Sequence, residues 1–365
     1  MNIPFLDLKR MDEALKQRLK SKFGEMLDAG IFSGGEEVAK FERSVGQFLQ
    51  SRFAIPCANG TDALELALRA LEIGPGDEVI VPAMTWVSTA EAVLMVGAKP
   101  VFWDTDENGL LKDDWENAVT KRTKALIPVH LYGKMVRMEE LTEKARNLGL
   151  KVIEDAAQAF GSFQDGKAAG TWGDVGCLSF YPTKNLGALG EAGMCLAQDE
   201  RLAGRIRLLL NHGQPLRDQH DLVGRNSRID TIQAAFLNVF LEGFEANQQK
   251  RKVLAQCYLE GLSQVAALKL PEGVLEADHN VHLFVVQSSR RDELTGFLAE
   301  KGVGTAIHYP AIVPGLKPFE TKGDFANARK LADEGLSLPL NPFLKEEEVD
   351  FVTKAMVAFF ETKNQ

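Results

Sequence analysis

Residues 138–155 read Met138-Glu-Glu-Leu-Thr-Glu-Lys-Ala-Arg-Asn-Leu148, then Gly149-Leu-Lys151, then Val152-Ile-Glu-Asp155. The pattern predicts a helix over 138–148, a stop at Gly149 and a short apolar strand over 152–154 that ends on an acid. The same alternation runs upstream. Strands are predicted at 53–57, 78–81, 100–103 and 125–129, with helical stretches at 61–71, 88–96 and 113–119 between them. Gly74-Pro-Gly76 closes the first of those helices. Strand and helix in turn, with short Gly-rich joints, imply an α/β fold with a mainly parallel sheet covered on both faces. Residues 176–180 and 194–197 predict two more strands with no obvious helix between them, so a local break in the parallel order is expected there.

Working outward, 8–29 reads as an amphipathic helix through Leu15, Leu19, Phe23, Met26 and Leu27. After the turn Ser33-Gly-Gly35, residues 36–49 repeat that spacing through Val38, Phe41, Val45 and Phe48. On the other side, 230–262 predicts one long helix that bridges to a second unit. That unit carries a strand at 282–286, a helix at 292–301, a strand at 304–308 and a last helix at 346–360. The expected division is a large domain over residues 1–245 and a smaller α+β C-terminal domain over residues 246–365. The 365-residue length suits two such units.

A 45% hydrophobic content is that of a globular chain, and a net charge of −9 argues against a nucleic-acid partner. The sequence has no secretory leader pattern and no span long and apolar enough for a bilayer. Cys57, Cys177, Cys195 and Cys257 fit no metal or redox spacing and lie in apolar contexts, which suggests reduced thiols and a cytoplasmic protein.

Four stretches carry chemistry. Leu178-Ser-Phe-Tyr-Pro-Thr-Lys-Asn-Leu-Gly187 leaves a strand and presents Lys184, with Ser179 before it. A lysine is ordinarily a solvated surface charge, and only its surroundings give it a role. Asn59-Gly60-Thr61 joins a strand to a helix. Glycine allows close approach and free helix-start amides favour a phosphate, although Thr61 as a simple cap explains the residues as well. Asp155 ends a strand at the edge where ligands of open α/β sheets sit. It suits a protonated ring nitrogen, or alternatively caps the next turn, with Gln158 three residues on. Gly224-Arg-Asn226-Ser-Arg228 precedes a long helix and reads either as a surface loop or as part of the site. Trp86 offers a face for stacking on a planar ring or for core packing. A phosphate cup, a ring-nitrogen acid, a stacking face and an imine-forming amine together describe a site for pyridoxal 5′-phosphate.

The motifs Asn59-Gly-Thr-Asp-Ala-Leu64, Glu154-Asp-Ala-Ala-Gln158, Ser179-Phe-Tyr-Pro-Thr-Lys184, Asn226-Ser-Arg228 and Ile307-His-Tyr-Pro310 occur in this order. As a set they resemble the DegT/StrS sugar aminotransferases of aspartate-aminotransferase fold type I, over nearly the whole chain. The resemblance implies Lys184 in Schiff-base linkage to pyridoxal phosphate, Asp155 on the pyridinium nitrogen and Gln158 on the ring hydroxyl. It implies Gly60, Thr61 and Ser179 on the phosphate, Asn226 reaching it from a partner subunit, and Trp86 stacked on the ring. Arg228, His308 and Tyr309 would line the substrate side. It further implies a homodimer with shared sites, L-glutamate as donor with 2-oxoglutarate as its product, and a nucleotide-linked keto sugar as acceptor, in surface-polysaccharide or related glycan synthesis. His212-Gly-Gln214 and the 223–235 segment most resemble members acting on UDP-linked 3-keto N-acetyl sugars, with a 4-keto sugar as the alternative. Gly190-Glu-Ala-Gly193 departs from the consecutive glycines that members often carry.

Rival readings are weaker. A lyase or desulfurase of this fold needs an exposed catalytic cysteine, and the four here sit in structured apolar contexts. A sensor with the same fold has no need of both Lys184 and Asp155. His279-Asn-Val-His282 lacks acidic companions at matching positions, so no metal is expected.

Overall fold

The computed structural model describes residues 1–361. The alternating segments form β1 (Phe53–Cys57), β2 (Glu78–Pro82), β3 (Lys99–Trp103), β4 (Thr123–Leu126) and β5 (Lys151–Asp155). A small hairpin, β6 (Phe163–Gln164) and β7 (Lys167–Ala168), precedes β8 (Val175–Ser179) and β9 (Gly193–Ala197). Seven of these make one sheet in the order β1-β9-β8-β5-β4-β2-β3. From β3 to β8 the strands are parallel. β9 runs against both of its neighbours, which is the expected break in parallel order and leaves β1 pointing the same way as β8. Both edge strands contain a proline, Pro56 and Pro100, where a missing N–H costs no central ladder bond.

The sheet is covered by α2 (Glu36–Leu49), α3 (Gly60–Ala70), α4 (Ser88–Met95), α5 (Met138–Asn147), α6 (Glu200–Leu209), α7 (Thr231–Leu241) and the start of α8 (Phe244–Leu262), while α1 (Glu13–Ala29) packs outside them, its Leu19 against Phe236 and Val239 of α7. Every residue of β2 and β9 is buried, as expected of strands packed on both faces. A second buried cluster joins Leu254, Tyr258 and Leu262 of α8 to strands β10 (Phe284–Gln287) and β11 (Gly335–Leu338) and to α9 (Arg291–Glu300) and α11 (Glu346–Glu361). A short helix, α10 (Ala326–Glu334), leads into β11 but packs Leu331 against the first cluster. Ile3 is fully buried in the second cluster and bridges Val303.

Four expectations are corrected. The 230–262 helix is two helices, because Gly243, a poor helix former, turns the chain between α7 and α8. Residues 304–308 form no strand. Gly304 donates to the Ile3 carbonyl and Ala306 pairs with Ser337, so this backbone divides its bonds between two sides. The strand that pairs with β10 is β11. Residues 113–119 hold only a 3₁₀ turn at Trp115–Ala118. In α1, Leu19 and Met26 are buried, but Phe23 and Leu27 are exposed, next to exposed Ile31 and Phe32.

Candidate active site

Strand direction gathers the site. β1, β5 and β8 all end at the same edge, so Gly60, Asp155 and Ser179 arrive there together, followed by Lys184. Asp155 is buried as the last residue of β5. Its Oδ2 accepts from the Thr89 hydroxyl at 2.7 Å and its Oδ1 from the Ala157 N–H at 3.2 Å. Burial nonetheless pushes this carboxyl above its ordinary range, against the pull of those donors and of the Lys184 amine. A cationic N–H partner would reverse that shift. The capping and ligand readings of Asp155 are therefore compatible, since one oxygen takes the turn and the rest of the carboxylate stays oriented.

Lys184 is half-buried in the loop after β8, its N–H bonded to the Tyr181 carbonyl at 2.8 Å. Desolvation lowers its amine to a pKa of about 8, with Asp155 pulling the other way. Relative to an ordinary lysine this raises the neutral, nucleophilic fraction at neutral pH by about 300-fold.

At the other end, α3 begins at Gly60 and its cap is Asn59, not Thr61; the Asn59 side chain accepts from the Asp62 N–H at 2.8 Å. The first two amides of α3 have no acceptor among the described residues, which makes an anion site. A Cβ on Gly60 would lie 2.7 Å from Ser179 Cβ, so glycine keeps this cup open. The Thr61 hydroxyl donates to Ser88 Oγ at 2.8 Å, and Ser179 Oγ accepts from the Tyr181 N–H at 3.3 Å. Gly193 serves the same cup, because a Cβ there would meet the Asn59 carbonyl carbon at 2.3 Å.

Gln158 is held on both sides. Its Oε1 accepts from the Tyr132 N–H at 2.6 Å and its Nε2 donates to the Tyr309 hydroxyl at 3.0 Å. The Tyr309 ring lies 5.4 Å from that of Trp86, which is 56% exposed. His308 shares its Nδ1 with Ser337 Oγ at 2.8 Å, and its carbonyl accepts from the Tyr132 hydroxyl. Burial and the nearby Lys184 lower His308 to about 4, so it is neutral at pH 7. Asn226 and Arg228 are not brought to Lys184 or Asp155 within this chain. Asn226 is exposed and bridges Asn211, while Arg228 donates to Asn211 Oδ1 at 2.6 Å.

Several contributors escaped the sequence reading. Thr89 and Ser88 look like ordinary residues of a helix start. Thr85 extends the Asp155 network, its hydroxyl 2.8 Å from that of Thr89. Glu154, on the opposite sheet face from Asp155, accepts backbone N–H bonds from Gly170, Trp172 and Gly173 and pairs with His130 at 3.0 Å. His130 Nδ1 accepts from the Val136 N–H, so Nε2 carries the proton that Glu154 receives. The signal for Glu154 was an acid inside an apolar strand, which must be paired. His279 and His282 are buried singly. His279 Nδ1 accepts from the Val281 N–H, and His282 Nδ1 faces Asn185 Oδ1 at 3.1 Å.

A cup for an anion, a buried carboxylate short of a cation and a desolvated lysine are a set of groups that suits pyridoxal phosphate. Comparison with known proteins agrees. Residues 13–357 match the DegT/DnrJ/EryC1/StrS aminotransferase family. The chain is 41% identical to the UDP-N-acetyl-3-dehydro-α-D-glucosamine 3-aminotransferase of Acidithiobacillus ferrooxidans, over 95% of each chain. It is 39% identical to the dTDP-3-amino-3,4,6-trideoxy-α-D-glucose transaminase of Streptomyces venezuelae, over 100% of this chain and 97% of that one. NtdA of Bacillus subtilis, solved with bound cofactor PMP, superposes with a TM-score of 0.93 at 32% identity, covering 99% of this chain and 85% of that one. The chain therefore belongs to the DegT/DnrJ/EryC1/StrS aminotransferase family and is a sugar aminotransferase dependent on pyridoxal 5′-phosphate.

Proposed function

We propose that this enzyme moves an amino group from L-glutamate to a UDP-linked 3-keto N-acetyl sugar, releasing 2-oxoglutarate and supplying an amino sugar for surface-polysaccharide or related glycan synthesis. The observation that carries the transfer itself is the meeting of Lys184, Asp155 and the Gly60 cup at one sheet edge. The UDP-linked acceptor is supported by the 212–235 segment and by the 41% identical relative. A dTDP-linked sugar is the second reading, favoured by the 39% identical Streptomyces relative, and a 4-keto sugar in either linkage is tested alongside it.

Pyridoxal phosphate, when bound, supplies an aldehyde and a ring that accepts electrons. Gly60, Thr61 and Ser179 hold its phosphate, Gln158 its ring hydroxyl and Trp86 its face. Asp155, oriented by Thr89, holds the proton on the ring nitrogen. Lys184 holds the aldehyde at rest. The Lys184 amine, when free, would be the group placed to take and return the donor's α-proton. His308 and Tyr309 flank the incoming sugar, with Arg228.

We further propose a homodimer in which Asn226 and Arg228 complete the neighbouring site. Exposed Phe23, Leu27, Ile31 and Phe32, along with Trp86 and Tyr181 beside the site, support such a surface. Residues 1–245 would carry the cofactor and residues 246–365 close over the sugar, the last four of them lying outside the described residues. Free, buried Cys57, Cys177 and Cys195 support a cytoplasmic setting, and no helix among the described residues is long and apolar enough to cross a membrane. The test is turnover of 3-keto and 4-keto sugars linked to UDP, GDP and dTDP with glutamate. Preference for the UDP-linked 3-keto sugar supports the reading, and preference for a dTDP- or GDP-linked or 4-keto substrate overturns it.

A further inference from the structure

Asn185, the residue after Lys184, is gripped at both ends of its amide. Its Nδ2 donates to the Asn280 carbonyl at 2.9 Å and to Gln248 Oε1 at 3.1 Å, and its Oδ1 faces His282 Nδ1 at 3.1 Å. Because Nδ2 is the donor, Oδ1 is the acceptor, and Nδ1 of His282 carries the proton. Burial and the Lys184 and Arg251 charges lower His282 well below its ordinary value, so the ring is neutral at pH 7. Gln248 lies on α8 and residues 280–282 lead into β10, so none of the three partners comes from the seven-stranded sheet. On its other side the loop is fixed by Leu186, buried in the first cluster.

The gripping turn is itself held at a cost. Val281 has a φ of +50°, a left-handed conformation that a β-branched residue keeps only where its surroundings enforce it. Asn280, 1% exposed, does so: its Nδ2 donates to the Gln158 and Phe160 carbonyls at 2.9 Å each, and its N–H to the Gly133 carbonyl at 3.1 Å. Arg251 Nη1 adds bonds to the Val281 and His282 carbonyls at 3.3 and 3.4 Å. Gly133 leaves room for this, since a Cβ there would overlap Asn280 Oδ1. We propose that Asn185 is a positioning residue for Lys184: the 280–282 turn fixes its amide, and with it the direction in which the lysine side chain leaves the loop. Asn185 touches no reacting atom and acts through the peptide it shares with Lys184. The inference rests on the aminotransfer reading above and adds that α8 and this turn, as well as the sheet edge, aim the lysine.

The test uses the holoenzyme, with the donor half-reaction followed by cofactor absorbance at varied L-glutamate, and the visible circular dichroism of the lysine-bound cofactor. A lysine free to swing still reaches the cofactor but is less often in line for the donor's α-proton. Asn185→Ala should therefore lower the maximal rate roughly 10- to 100-fold and weaken the dichroism. Cofactor affinity and the glutamate concentration at half-maximal rate should stay within about threefold of wild type. His282→Leu should act in the same way, and His282→Asn, whose amide donates from the place of Nδ1, should recover most of the rate. The double variant Asn185→Ala, His282→Leu should be no slower than the slower single one, because both remove one contact. A wild-type maximal rate in Asn185→Ala, or losses that multiply in the double variant, overturns the assignment. Should Asn185→Ala not fold, the two His282 variants carry the test, and equal rates in both overturn it. If wild-type absorbance ignores every amino donor, the aminotransfer reading fails first, and unchanged dichroism in Asn185→Ala then overturns the positioning role by itself.

Discussion

The two halves of the site are built by different means. Asp155, Ser179, Gly60 and Lys184 lie at or just past the ends of parallel strands, and their partners Thr89, Asn59 and Gln158 are fixed by hydrogen bonds of 2.6–3.0 Å. Asn226 and Arg228 lie on the segment following α6, where residues 215–221 and Val223 are exposed, Val223 by 90%. The residues of the first half meet within one chain, because a packed sheet sets where they end. The second lies on a loop, with Asn226 exposed and Arg228 half-buried against Asn211.

Substitutions sharpen that contrast in descending order of effect. Lys184→Ala should lower transamination roughly 100- to 10,000-fold while cofactor still binds, read by turnover and by dialysis-resistant absorbance. Asp155→Asn keeps the shape but removes the charge that holds the ring proton, and should cost roughly 100- to 1,000-fold in kcat. Thr89→Val strips the donor from Asp155 Oδ2 and should cost about 10-fold in kcat, because an already raised carboxyl is raised further. Gly60→Ala should weaken cofactor affinity about tenfold with little change in kcat at saturating cofactor, since the added methyl meets Ser179. Asn226→Ala should leave the absorbance of bound cofactor in place and act least of all on donor turnover. An effect there as large as that of Asp155→Asn would break the distinction between the two halves.

The pH dependence separates them as well. Cofactor capture needs the neutral amine, so its rate should rise with pH through about 8 and level off above, the folded value being depressed from the ordinary 10.5. A rate still climbing at pH 10 in stopped-flow absorbance would mean that the amine is not desolvated.

What was legible in the sequence follows the same division. The parallel core was readable because buried strands are apolar along their length, and Asp155 because an acid ends such a strand. The antiparallel β9 was foreshadowed by the missing helix between 180 and 194. Thr89 was not readable, since a threonine at a helix start has no distinguishing pattern and its role exists only through a contact across 66 positions. β11 was missed because Gly335-Leu-Ser-Leu338 is short and its first residue is also the cap of α10, so no connecting turn separates helix from strand.

The most direct test of the central claim, that the strand-end cluster around Lys184 and Asp155 is an aminotransfer centre, is the absorbance spectrum of the protein loaded with pyridoxal phosphate, before and after L-glutamate. The account predicts a yellow lysine-bound band in the wild type that glutamate converts to the pyridoxamine phosphate band, and no lysine-bound band in Lys184→Ala. A wild-type protein that binds the cofactor without that band, or the same band persisting in Lys184→Ala, would contradict it.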